Sequence, residues 1–121
     1  MTIRSSHFRA LMCVVGLVLA GCAQARAGEE QEASIADGRE VARANCASCH
    51  AVEMRGASPL AQAPPFREIG RRYRFPVLEE ELIAGIGVGH PPMPKFQLSP
   101  RGVDALLLYM RHIQARDRGA R

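Results

Sequence analysis

The sequence predicts an all-α domain, and three observations support that reading. Apolar residues recur at helical spacing in four segments, near residues 34–44, 66–73, 77–86 and 100–116. Proline and glycine crowd two of the stretches between them, 51–65 and 89–96. No strand-like pattern precedes the cysteine pair Cys46 and Cys49. At 121 residues the chain is one domain or less.

The first element reads as an export signal over residues 1–21. Arg4 and Arg9 give a positive start, Ala10 to Ala20 is apolar, and small residues follow. That apolar run is shorter than the roughly 20 residues a spanning helix needs. Leu19-Ala20-Gly21-Cys22 resembles the lipobox of bacterial lipoproteins, in which Cys22 becomes the lipidated first residue. The alternative is cleavage after Ala25 or Ala27. Both place the remainder outside the cytoplasm, in the periplasm, held at the membrane if Cys22 carries lipid. Residues 22–33 are small and polar with no apolar period, and read as a solvated tether.

The domain proper is expected over residues 34–116, with a charged, frayed tail at 117–121. In its first helix, Ser34 is a candidate N-cap and Asp37 lies in the first turn. Gly38 costs such a helix about 1 kcal/mol against alanine, so its presence points to another helix passing close by. Phe66, Ile69 and Tyr73 then share one side of a short helix. Arg67, Arg71 and Arg74 share the other, a solvated face by default or a docking patch for an acidic partner.

Pro76 suits the first turn of a third helix, in which Leu78, Leu82 and Ile86 form a stripe. Glu79, Glu80 and Glu81 are expected near its N-terminus, where they oppose the helix dipole favourably. Ser99-Pro100 opens the last helix as N-cap and N1, followed by the stripe Val103, Leu106, Leu107, Met110 and Ile113.

Cys46-Ala47-Ser48-Cys49-His50 carries the chemistry. Two cysteines two residues apart, with histidine next, form the attachment pattern of a c-type haem. Each thiol can add to one porphyrin vinyl group, and His50 is then placed beneath the iron as proximal ligand. Three other readings compete. A zinc site needs two more ligands, and most of the remaining candidates (His7, Cys13, Cys22, His90, His112) lie in the leader. A redox pair normally follows a strand in a βαβ unit. A disulfide across two residues closes a small, strained loop.

The opposite side of the iron has five candidates: Met54, His90, Met93, Met110 and His112. Met110 lies on the apolar stripe of the last helix, His112 falls opposite that stripe, and Met54 is too near His50 in sequence. Met93 is favoured, because the flanking Pro92 and Pro94 limit the freedom of its loop. His90, in the same loop, is the alternative sixth ligand. A thioether there raises the reduction potential relative to a second histidine.

From Ser34 to Gln114 the chain resembles a small class I cytochrome c. The resemblance rests on the Gly38 helix, the Cys46–His50 motif, Pro64-Pro65-Phe66, Met93-Pro94 with Phe96, and a last helix carrying Tyr109. It implies a small cytochrome c fold of three to five helices wrapped around one covalently bound haem c. It implies a contact between Gly38 and Tyr109, and a proline carbonyl, from Pro64 or Pro65, that accepts from the proximal histidine. The haem pocket it implies includes Pro64, Pro65, Phe66, Tyr73 and Phe96.

The expected function is a monohaem carrier of single electrons between redox proteins, not an enzyme, with His50 and Met93 on the iron. Arg67, Arg71 and Lys95 are the expected docking charges, so reaction with a partner should slow with added salt. Two alternatives stand beside it: a haem subunit of a larger oxidoreductase, and a ligand-binding or peroxidase-like protein with a labile sixth ligand. Nucleic acid is not expected as a partner. From Cys22 onward 14 basic residues face 12 acidic ones, with no concentrated basic face. With no tryptophan and 5% aromatic residues the chain builds a modest core, so the haem-free polypeptide is expected to be largely unfolded.

Overall fold

The computed structural model describes residues 4–85, 93–94 and 97–120, with side chains from Gln24 onward. Among these residues there are four helices and no strand: α1 (Arg4–Asn45), α2 (Phe66–Arg72), α3 (Phe75–Ala84) and α4 (Pro100–Gly119). The all-α expectation holds. The chain divides into two compact units, residues 1–33 and 34–121. In the first, every described side chain, from Gln24 to Ala33, is exposed. Residues 22–33 are helical where composition suggested an irregular tether. Ala, Gln, Glu and Arg are strong helix formers, and only Gly28 opposes them. Ser34 therefore lies inside α1 and does not cap it.

The second unit is organised on α4. Val103, Leu106, Tyr109, Met110 and Ile113 are buried at helical spacing, joined by Ala105, Leu107 and Gln114. Leu106 and Ile113 are almost fully enclosed, which stabilises the fold by about 1.5–3 kcal/mol each. Ser99 caps the helix as expected, its Oγ accepting from Gly102 N at 3.2 Å, with Pro100 in the first turn. Both α2 and α3 pack on α4. The α4 helix also continues to Gly119, so Asp117 and Arg118 are not a frayed tail. Arg71 on α2 donates to Asp117 Oδ2 at 2.9 Å and helps hold that end.

Gly38 explains how α1 reaches α4. A Cβ on Gly38 would run into the Ala105 carbonyl and lie 2.9 Å from Tyr109 Cβ. Only glycine allows the two backbones to meet there. The contact implied by the cytochrome resemblance is present. Tyr109 then extends past the meeting point and donates from its hydroxyl to Val52 O at 2.8 Å.

Outside this junction lies a cluster of charge. Glu53 accepts from Arg39 and Arg43 at 2.9 Å each. The Arg39 hydrogen bond holds the Glu53 carboxyl below its usual range, despite some desolvation, and Arg43 adds to the effect. Burial pushes the Tyr109 hydroxyl up, and the Glu53 charge pushes it further.

The α3 helix starts two residues before Val77, at Phe75, so Glu79, Glu80 and Glu81 fall beyond its first turn. The dipole contribution expected of them is therefore weak, because that effect fades within one turn. Leu82 is buried and Leu78 half-buried, as the stripe predicts; Ile86 lies outside the described residues.

Candidate haem site

The last turn of α1 runs directly into the cysteine motif. Cys46 N donates to Ala42 O at 2.9 Å, and the amides of Cys49 and His50 both donate to Cys46 O, at 3.1 and 2.9 Å. These bonds coil the motif into one more turn, so the positions of both sulfurs are fixed by α1. Cys46 is buried and Cys49 half-buried, and no disulfide joins them. Burial, with the neighbouring Cys49, pushes the Cys46 thiol up to about 11. As a free thiol in that position it would stay protonated and weakly nucleophilic. Among the described residues no group of three or more His, Cys, Asp or Glu gathers as a metal site, so the zinc reading gains no further ligands.

His50 is buried, and its Nδ1 lies 2.8 Å from Pro64 O. A carbonyl only accepts, so Nδ1 carries the proton and Nε2 is left as the nitrogen for a metal. Of the two prolines left open by the sequence, Pro64 makes the contact. The loop from Ala51 to Pro65 is closed around this bond. Leu60 N donates to Cys49 O at 3.1 Å, Phe66 N to Ala51 O at 3.0 Å, and Ala51 N to Ser58 Oγ at 3.0 Å. The Phe66 ring lies tilted against His50, 5.7 Å between centroids.

Two hollows meet at the motif. One, of about 500 Å³ and open to solvent, is lined by Cys46, Cys49, His50, Leu60, Ala63 and Met93 among others. The other, of about 400 Å³ and likewise open to solvent, shares Cys46, His50 and Met93 and is lined by Phe66, Ile69, Leu78, Leu82, Leu106 and Met110. The described residues thus bring both cysteines, His50 and Met93 to one apolar cleft. That donor set, with Nδ1 engaged and aliphatic walls around it, fits a covalently held haem.

Residues 33–110 match the family described as cytochrome c oxidase, cbb3-type, subunit III. The chain belongs to this family. It is a class I c-type cytochrome, with the all-α fold of that class and one covalently attached haem c. No curated protein and no solved structure matched the chain. The cytochrome is a haem-binding electron carrier with redox protein partners. Cytochrome c domains are usually extracytoplasmic; among the described residues no helix is long and apolar enough to cross a membrane.

The other candidates are distributed unevenly. Tyr73 is half-buried as the C-cap of α2 and packs against the core. Pro65 is the N-cap of α2. Met54 and His112 are half-buried, the latter less solvated than its helical position predicts. Phe96, His90 and Lys95, and the side chain of Cys22, lie outside the described residues.

The two arginines of the expected docking stripe that lie on α2 are held differently. Arg71 is engaged by Asp117, and one Arg67 guanidinium nitrogen is buried without a hydrogen-bond partner. Sequence reasoning missed the aliphatic walls. Ile69, Leu78, Leu82, Leu106 and Met110 were visible as helix stripes, but a stripe does not say which residues face a cavity. Leu60 and Ala63 sit in a loop with no period at all.

Proposed function

We propose that this cytochrome carries single electrons with His50 and Met93 as the two axial ligands of its iron. Met93 lining the same cleft as Cys46 and His50 is the observation that supports this reading most directly. When bound, haem supplies the one-electron ferric–ferrous couple. The chain supplies the rest. Pro64 O holds the His50 ring by its Nδ1 proton and makes Nε2 a stronger donor. Leu78, Leu82, Leu106 and Met110 exclude water from the cleft. With both axial positions filled by side chains no site is left for a substrate, and the carrier is not an enzyme. We place the domain in the periplasm, with Cys22 as lipid anchor.

Optical spectra of both oxidation states test this. A low-spin ferric spectrum with the long-wavelength sulfur-to-iron band, lost in Met93→Ala, is the expected result. A band that persists in Met93→Ala, or a high-spin wild type, overturns Met93 ligation. The family description favours a second reading, in which the domain works as a haem subunit within a larger oxidase assembly. Co-purification of native material with other redox subunits separates that assembly from a lone carrier.

A further inference from the structure

Gln114 is a polar side chain sunk in the apolar face of α4, 5% exposed. Its Nε2 donates to Phe66 O at 2.8 Å. Phe66 is two residues beyond Pro64, and its own amide donates to Ala51 O, next to His50. The Gln114 amide also packs directly against α2 at Gly70, where a Cβ would collide with its Oε1. Glycine at 70 and glutamine at 114 are thus fitted to one another one turn into α2, while the Gln114 hydrogen bond reaches Phe66, where the proximal loop enters that helix. A buried amide is costly unless it is bonded, and leucine or methionine would fill that position at no such cost. Its placement calls for a role that an apolar residue could not perform.

We propose that Gln114 is a positioning residue for the proximal ligand. It fixes the start of α2, and with it the Pro64 carbonyl on which His50 Nδ1 rests, so that α4 sets the donor strength of His50. The chain of contacts runs Gln114 Nε2 to Phe66 O, along two peptide units to Pro64 O, and across to His50 Nδ1. A firmer Nδ1 bond makes the histidine more electron-rich and favours ferric iron; a looser one does the reverse. This proposal rests on His50 being the proximal ligand.

The test uses the intact haem protein. In Gln114→Leu the reduction potential should rise, and exchange of the His50 Nδ1 proton, followed by NMR, should quicken about tenfold, the scale of one lost buried hydrogen bond. Gln114→Glu keeps the shape and restores a donor only when protonated. Its potential should approach the wild-type value as pH falls and depart from it as pH rises. Ser99→Ala removes the cap at the start of α4, away from this contact, and should leave both readouts unmoved. Lower melting temperature in Gln114→Leu, with potential and proton exchange unchanged, would make Gln114 a packing residue only and overturn the proposal. If Gln114→Leu does not fold, the pH dependence of Gln114→Glu decides alone. A wild-type spectrum without histidine ligation is a separate failure, of the ligation reading itself.

Discussion

Replacing Gly38 with alanine should destabilise the domain far more than a helix-propensity argument allows. Alanine is the better helix former by about 1 kcal/mol, so on α1 alone the change is favourable. The added Cβ, however, would overlap the Ala105 carbonyl and stand 2.9 Å from Tyr109 Cβ, where carbon atoms ordinarily keep about 3.5–4 Å. The obstacle is backbone, which cannot rotate away. α1 and α4 must separate by on the order of 1 Å, and forced repacking of this kind costs about 3 kcal/mol at the upper end of its usual range. Separation also carries the Tyr109 hydroxyl away from Val52 O, another loss of about 1 kcal/mol. Setting the propensity gain against these leaves a net cost of about 3 kcal/mol. For a domain of this size that lowers the melting temperature by roughly 12–24 °C. The measurement is thermal unfolding of the haem-loaded protein, followed by far-ultraviolet circular dichroism. A Gly38→Ala protein that melts within about 2 °C of the wild type would refute the close approach, since that is the margin of an ordinary surface substitution.

Tyr109→Phe should cost about 1–2 kcal/mol in denaturant titration, because Val52 O then stays buried without its donor; an unchanged midpoint would mean water replaces it freely. The charge cluster gives a pH dependence of known sign. The Glu53 carboxyl is depressed in the folded state, so the unfolded chain takes up its proton first on acidification. The stability it contributes is present above the unfolded carboxylate value and is lost as pH falls from about 5 through the folded value. Melting temperature should therefore fall faster with acid in the wild type than in Glu53→Gln. Parallel curves would remove the cluster from consideration. Substituting both Cys46 and Cys49 by serine should abolish the haem adduct by mass spectrometry and leave a chain with little cooperative unfolding. In a haem-free preparation of the wild type, both thiols should label at similar rates. Selective protection of Cys46, the buried and protonated one in the fold, would instead show that the polypeptide folds without haem.

The elements most legible in the sequence were those marked by strong local chemistry. Ser99-Pro100 announced the start of α4, and the period from Val103 to Ile113 announced its buried face. Cys46–His50 announced the site because the histidine directly after the second cysteine separates haem attachment from the zinc and redox uses of the same cysteine spacing. Less visible was anything that depends on two distant segments meeting. Gln114 reads as a polar residue near a helix end until Phe66 O is placed against it. Arg71 reads as a solvated charge until Asp117 arrives from α4. The start of α1 differs for another reason: residues 24–33 are exposed along their length, and a helix needs no apolar period when its residues favour the backbone conformation on their own. Pro64 and Pro65 could not be ranked by position alone, since adjacent carbonyls point in different directions and only the folded loop selects one.

The loop after the motif is cinched at its base, by His50 to Pro64, Cys49 to Leu60 and Ala51 to Phe66. Its tip, around Gly56, is outside that cinch: Gly56 has φ +98°, and a Cβ there would meet nothing within 4 Å. Length added between Arg55 and Gly56 stays clear of these bonds and of Ser58, whose Oγ accepts from Ala51 N at 3.0 Å. A fluorophore or an affinity handle grafted there would report on encounters with other proteins while leaving the redox properties of the molecule untouched.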